Sequence, residues 1–235
     1  MKIIAIIPAR WGSTRLPGKP LCDINGKPMI QWVYEAVKKS KVDKVVVATD
    51  NQLIYDTVEQ FGGEAVMTLS SHETGTDRVI EAYESFKDNY DFVINVQGDE
   101  PMINEKDIDS IIHNLQKDPW NIATLVGPLE GIQKTDRNTV KAYIDSNKIK
   151  MFTRSPLYGM QIFFKRHIGI YGFSRATIKK IHHSKMDKTE NELAEKLEQL
   201  RWADNGLEFN YSLTTGLYKG IDTQQDLDKY KEFLT

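Results

Sequence analysis

The chain has 235 residues, enough for one large α/β domain with a substantial core. Its 40% hydrophobic and 27% charged residues are an ordinary globular balance that argues against disorder, and a formal net charge of −2 excludes a global attraction to nucleic acid or to an anionic membrane. A single cysteine, Cys22, excludes an intramolecular disulfide and a thiolate zinc cluster, and reads as a small hydrophobe. Lys2 precedes only five apolar residues, too few for the apolar region of a signal peptide, and no stretch approaches a membrane span. The expected location is cytoplasmic.

The first apolar run, Ile3 to Ile7, is expected as a buried strand, and it opens into the loop PARWGSTRLPGKP, Pro8 to Pro20. This loop places Arg10, Arg15 and Lys19 close together on a stretch with Gly12, Ser13 and Gly18. Small residues let backbone N–H groups approach an anion, and the cations offset its charge. A polyphosphate fits such a loop. The composition also fits a plain basic surface loop, but open α/β sheets keep their ligands where this one leaves its strand.

Ile30, Val33 and Val37 follow with helical spacing, and Pro28 suits the first turn of that helix. A second Val/Ile-rich run covers 45–48, and Ile54, Val58 and Phe61 mark a helix stopped by Gly62-Gly63. Val79, Ala82, Tyr83 and Phe86 mark a third helix, 92–96 another strand, Ile108, Ile111, Ile112 and Leu115 a fourth helix, and 122–126 a further strand. Strands alternating with helices predict βαβ crossovers and a mostly parallel sheet, a Rossmann-like three-layer sandwich. Beyond about residue 130 the rhythm changes, with strands expected at Val140–Ile144, Ile149–Phe152 and Ile168–Phe173. Leu193, Leu197 and Leu200 mark a helix that Asn205-Gly206 stops. No repeat or linker divides the chain, so 1–235 reads as one domain, with an antiparallel insertion at about 135–205.

Several polar residues could carry chemistry. Asp99 and Glu100 follow an apolar strand directly, with Gly98 permitting a tight path, and either could hold a hard cation or serve as a turn residue. In Gly220-Ile221-Asp222-Thr223, composition suggests a cap for the last helix. Thr74-Gly75-Thr76-Asp77-Arg78 has the make-up of a helix start. His167 and Tyr171 share one strand face, and Glu198 and Gln199 lie beside an apolar helical stripe, where solvent exposure is the plain expectation. There is no Walker-type phosphate loop and no GxGxxG turn, and the adjacent His182-His183 point in different directions on a helix.

The loop 8–20, with VATDN (47–51), FGGEAVMT (61–68), HETGTDR (72–78), VINVQGDEP (93–101), RSP (154–156), HIGIYGF (167–173), EKLEQLR (195–201) and GIDT (220–223), resembles the CMP-Kdo synthetases, or 3-deoxy-manno-octulosonate cytidylyltransferases. The resemblance covers nearly the whole chain. It implies a sugar nucleotidyltransferase fold and a Mg²⁺-dependent transfer of CMP from CTP to an acidic sugar, Kdo, with release of pyrophosphate. By the same resemblance Pro8, Ala9, Arg10, Gly12, Ser13 and Lys19 bind the nucleotide's phosphates, with Arg10, Lys19 and Asp99 catalytic. Thr76, Arg78 and Gln97 lie along cytosine and ribose. Asp99 and Asp222 are the metal ligands; Arg154, His167, Tyr171, Glu198 and Gln199 serve the acceptor. A homodimer is also implied, and neither a nucleic acid nor a membrane partner.

One departure matters. Between Arg154 and His167 the chain has only SPLYGMQIFFKR, where the family typically carries a longer and more polar stretch. That leaves room for a variant acceptor such as an amino-Kdo or another small acid. A binder that kept the pocket and lost turnover is the remaining alternative, and the joint presence of Asp99, Asp222 and Lys19 argues against it. Trp11, where the family often has Tyr, is a milder change.

Overall fold

Ile3–Ala9 forms β1, buried along almost all its length, as an apolar run flanked on both edges requires. The computed structural model of the chain describes residues 1–13, 15–87, 89–159, 161–183, 186–216, 218 and 220–234. They belong to two units, Met1–Asp109 with Leu217–Thr235, and Ser110–Gly216.

In the first unit, β2 (Asp23–Ile24) and β3 (Lys27–Pro28) make a short hairpin whose turn residues Asn25 and Gly26 both have positive φ. Helix α1 (Met29–Lys38) follows, with Pro28 in extended conformation at its N-cap, one position before the first turn that the sequence suggested. Then come β4 (Lys44–Thr49), α2 (Gln52–Gln60), β5 (Ala65–Met67), α3 (Gly75–Glu84), β6 (Phe92–Asn95) and α4 (Glu105–Lys117), the last running past Asp109. Asn51 caps α2 by accepting from the Leu53 and Ile54 amides, and Gly62, at φ 77°, follows its end. All ladders among these longer strands are parallel, in the spatial order β5, β4, β1, β6.

The second unit contains β7 (Ile122–Gly127), β8 (Lys141–Asp145), β9 (Lys148–Thr153), β10 (Phe164–Ser174), α5 (Arg175–His183), α6 (Glu190–Glu195), α7 (Glu198–Asp204) and β11 (Phe209–Leu213). Pairing here is mixed: a mostly parallel sheet with an antiparallel insertion at about 135–205 was expected, and the antiparallel ladders of β8, β9 and β10 fall within that stretch, while β10 also pairs antiparallel with β7 before it. Strand β7 runs parallel to β11 and antiparallel to β10, and β8 pairs antiparallel with both β9 and β10. With the β9–β11 contact the five strands close a circuit of ladders. Positive φ at Ser146 and Asn147 turns the tight β8–β9 hairpin.

The single helix expected through Leu193, Leu197 and Leu200 is two helices. Lys196 adopts the left-handed conformation that ends α6, and Leu197 starts α7 from an extended conformation. The break leaves Leu193 exposed while Leu197 and Leu200 are buried. Helix α8 (Gln224–Phe233) returns to the first unit, where Leu227 and Tyr230 pack with Leu16, Ile24, Met29 and Ile221. Cys22 lies partly buried against that cluster, and burial pushes its thiol pKa up, as for an inert small hydrophobe. Among the described residues no helix is long and apolar enough to cross a membrane.

Candidate active site

The order β5-β4-β1-β6 puts β1 where the chain reverses direction of growth, with β4 on one side and β6 on the other. In open α/β sheets the crevice outside the carboxyl ends at such a point is the ligand site. Here it receives the loop after β1 and the turn after β6. A cleft of about 260 Å³ opens there, lined by Pro8, Ala9, Arg10, Ser13, Arg15 and Lys19, by His72 to Gly75, Arg78, Gln97 to Asp99, and by Asp222. Glycine is what lets the two loops meet. A Cβ on Gly98 would stand 3.0 Å from the Pro8 carbonyl oxygen, and one on Gly75 would touch Pro8 and Gln97.

Lys19 is the centre of the cleft. It follows Gly18, whose φ of 64° favours glycine and where a Cβ would crowd the Trp11 ring at 3.2 Å. Its ammonium lies 2.7 Å from Asp99 Oδ2 and 3.0 Å from Asp222 Oδ1, with only 16% of the side chain exposed. Burial pulls the Lys19 pKa down, but the two carboxylates outweigh it and hold the group above its ordinary value. Asp222 reaches this point because the Ile221 amide donates to the Asp99 carbonyl (3.0 Å). It also takes the exposed Arg15 at 3.1 Å.

The capping alternatives now separate. Thr223, not Asp222, caps α8, in a box with Asp226, so the Asp222 carboxylate is left to the cleft. Thr74 and Asp77 do cap α3, as their composition suggested. Thr76 is buried and accepts from Asn95 (3.3 Å), while Gln97 lines the cleft and donates to Asn95 Oδ1 (3.2 Å). Arg78 is in the wall, and its Nη1 and Nη2 are bonded to Thr68 and Asp50. Gly12 is exposed on the loop and does not line the cleft. The roles of Asp50 and Thr68 were not foreseen; the Asp of VATDN stands at a strand's carboxyl end, which was the available signal.

Two anionic oxygens converging on one ammonium are also a donor set for a divalent cation that prefers oxygen, with water and phosphate completing its shell. Among the described residues no cluster of three or more His, Cys, Asp or Glu would hold a metal unaided. The fit is therefore to a metal that arrives with an anionic ligand.

The acceptor candidates all lie in the second unit. His167 and Tyr171 are neighbours on one face of β10, their ring centroids 5.5 Å apart. His167 Nε2 lies 3.0 Å from Thr124 Oγ1, whose hydroxyl donates to the Ile170 carbonyl (2.7 Å), so the ring nitrogen is the donor. Burial, helped by the Arg154 charge, lowers the His167 pKa to about 3, so the ring is neutral. Burial and the Glu198 carboxylate push the Tyr171 phenol well above its ordinary value. Gln199 is buried rather than solvated, and Glu198 half-buried.

Arg154 is held through both its backbone and its side chain. Its amide donates to Glu195 Oε2 (2.7 Å), and its Nη1 donates to the Arg137 and Asn138 carbonyls. Burial would raise the Glu195 pKa, but hydrogen bonds from Arg154, Thr153 and Ser155 overcome that and lower it. Arg154 Nε is buried with no hydrogen-bond partner among the described residues. A larger cavity of about 440 Å³ lies between β9, α6 and α7, and its lining includes none of the five acceptor candidates.

A parallel α/β core with a cation-rich loop after its first strand and paired carboxylates beside it defines a nucleotidyltransferase-type site. The cytidylyltransferase family model matches residues 4–209. The chain is 42% identical to the 3-deoxy-manno-octulosonate cytidylyltransferase of Parabacteroides distasonis, covering 100% of this chain and 98% of that one. It is 38% identical to the enzyme of the same name from Escherichia coli, over 99% of this chain and 96% of that one. A solved CMP:2-keto-3-deoxy-manno-octonic acid synthetase complexed with CTP superposes with a TM-score of 0.93 at 36% identity, covering 100% of this chain and 98% of the other. The 4-diphosphocytidyl-2C-methyl-D-erythritol synthase of Anaerococcus prevotii (TM-score 0.64, 16% identity, 99% and 98% covered) shares the fold. The chain belongs to the 3-deoxy-manno-octulosonate cytidylyltransferase family.

Proposed function

We propose that this enzyme transfers CMP from CTP to Kdo, the anomeric hydroxyl of the sugar attacking the α-phosphorus and pyrophosphate leaving. The observation that carries the site assignment is Lys19 clasped by Asp99 and Asp222 at the carboxyl ends of β1 and β6. Transfer of this kind needs positioning and charge neutralisation more than covalent catalysis. Arg10, Ser13 and Lys19 hold the β- and γ-phosphates and stabilise the departing pyrophosphate, with Pro8, Ala9 and Gly12 shaping the loop's approach. Gln97 and nearby backbone groups face cytosine, and Thr76 and Arg78 set the wall behind them.

Asp99 and Asp222 would hold Mg²⁺, which when bound polarises the α-phosphate and acidifies the attacking hydroxyl. Lys19 neutralises the same two carboxylates and stands beside the phosphate loop, so its charge serves either the carboxylates or the triphosphate. For the sugar, Arg154 is the carboxylate-binding group. A buried, unpartnered Nε is costly, and a carboxylate supplies the acceptor it lacks. His167 and Tyr171, both neutral, and Glu198 and Gln199 complete the acceptor set. In this reading the fold is a Rossmann-like sandwich with an antiparallel insertion, working as one domain and assembled as a cytoplasmic homodimer.

The test is a pyrophosphate-release screen of acidic sugars against the four nucleoside triphosphates with Mg²⁺. CTP with Kdo should be far faster than ATP or GTP with Kdo. Equal rates with purine triphosphates would remove the cytidylyl assignment, and a preference for another small acid would relocate the acceptor.

A further inference from the structure

One buried charge network adjoins the phosphate loop without belonging to it. Asp50 directly follows β4, and its side chain is 11% exposed. Its Oδ2 accepts from Arg78 Nη2 at 2.8 Å, and its Oδ1 accepts from the Trp11 backbone N–H at 3.1 Å. Arg78, 3% exposed, is held in turn by Thr68 Oγ1, whose hydroxyl donates to the Thr49 carbonyl at 3.0 Å. Polar contacts thus run from α3, through the ends of β4 and β5, to the second residue of the loop that leaves β1.

The position explains the need. The β1–β4 ladder ends at Ala9 opposite Thr49, so beyond it the Trp11 amide has lost its strand partner. Asp50 is the next residue on β4's path and supplies the acceptor. Trp11 then accepts from the Ser13 amide through its carbonyl (2.7 Å), so fixing Trp11 fixes both neighbours that address the phosphates, Arg10 and Ser13. A carboxylate on a loop would rotate freely. The Arg78 guanidinium locks its plane and keeps Oδ1 turned to the amide.

We propose that Asp50 is a positioning residue for the phosphate-binding loop, holding the Trp11 amide while Arg78 and Thr68 hold Asp50. This rests on the nucleotide reading of the cleft, yet the hydrogen bond can be read without any substrate. The experiment measures amide exchange at Trp11 in the intact wild-type protein, then compares Asp50→Ala and Asp50→Asn by exchange, melting temperature and steady-state kinetics. Wild-type Trp11 should exchange at least about tenfold more slowly than an unprotected amide. In Asp50→Ala that protection should vanish while Ile4 to Ile7 keep theirs. The KM for CTP should rise roughly tenfold or more with the KM for the acid sugar within about twofold, because the groups released, the loop and Arg78, are both assigned to the nucleotide. Asp50→Asn, which keeps an acceptor, should recover much of the CTP KM.

A wild-type Trp11 amide that exchanges freely would overturn the proposal, as would Asp50→Ala raising both KM values together or neither. Should Asp50→Ala fail to fold because Arg78 is stranded, Asp50→Ala with Arg78→Met removes the stranded charge, and Trp11 exchange in that variant decides. If wild-type enzyme released no pyrophosphate from CTP, the functional reading would fall while a protected Trp11 amide still stood.

Discussion

At the scale of single residues the cleft turns on which carboxylate does what, and the hydrogen bonds answer it. Asp222 could have been the cap of α8, but Thr223 and Asp226 form that cap between themselves and leave Asp222 facing Lys19. Asp99→Asn and Asp222→Asn should therefore keep the fold, with melting temperatures near wild type, while turnover falls about a hundredfold or more, the usual cost of one lost electrostatic contact in the transition state. Near-normal turnover in Asp222→Asn would return that residue to a purely local role. Arg154 is assigned to the acid sugar, whereas the triphosphate has its own cations in the loop after β1. Arg154→Ala should raise the KM for the acid sugar much more than that for CTP, which initial rates with each substrate varied in turn will read. A selective rise for CTP would move Arg154 to the nucleotide and remove the best support for an acidic acceptor.

At the scale of elements, helix–strand packing and helix capping account for what was legible. The apolar spacings that marked β1, α1, β4, α2 and α4 are long enough to fix type and place, and the structure keeps them. Strand β5 escaped notice because three residues carry too little periodicity, and β11, FNYSL, because it has no Val/Ile run to mark it. The α6–α7 break escaped because no glycine or proline marks it; Lys196 turns it, and a buried pair, Glu192 with Arg201 at 2.5 and 2.7 Å, ties the two helices. Arg201→Met would strand Glu192 in a buried site and should destabilise the protein by about 3–5 kcal/mol, read as a shift in the urea midpoint. In the site, the loop cations and paired carboxylates were visible as motifs, whereas the Asp50–Arg78–Thr68 network joins three distant segments and has no local pattern. Packing can be equally tight without any sequence signal. A Cβ on Gly172 would stand 2.5 Å from Leu115 Cδ1 and 2.8 Å from Ile111 Cγ2, so any larger residue here must push these α4 side chains aside. Gly172→Ala should cost roughly 1–3 kcal/mol by overpacking, and an unchanged midpoint would mean that α4 yields easily.

At the scale of the whole molecule the net charge near zero at pH 7 keeps general charge repulsion small there, so buried groups that titrate between pH 7 and 5 stand out in the response of stability to pH. Among the described groups that titrate between pH 7 and 5, His167 has a large shift with a plain direction. Burial first, and the Arg154 charge second, keep its ring neutral in the fold, with a pKa of about 3 against 6.5 for the free side chain. As pH falls below 6.5 the unfolded chain takes up a proton at this histidine and the folded chain does not. The unfolded state then binds more protons, so stability is fully present above 6.5 and declines as pH falls toward 3. At pH 5 the linkage is worth about 2 kcal/mol, from 1.36 kcal/mol per unit over roughly one and a half units. His167→Gln can still donate to Thr124 and has no proton to gain in this range. Urea unfolding at pH 7 and pH 5 should therefore show a smaller loss on acidification in the variant than in wild type, by about that amount. Equal losses in the two proteins would mean that His167 is protonated in the fold. A charged imidazolium would then lie beside Arg154 and Tyr171, and the neutral acceptor pocket proposed above would have to be redrawn.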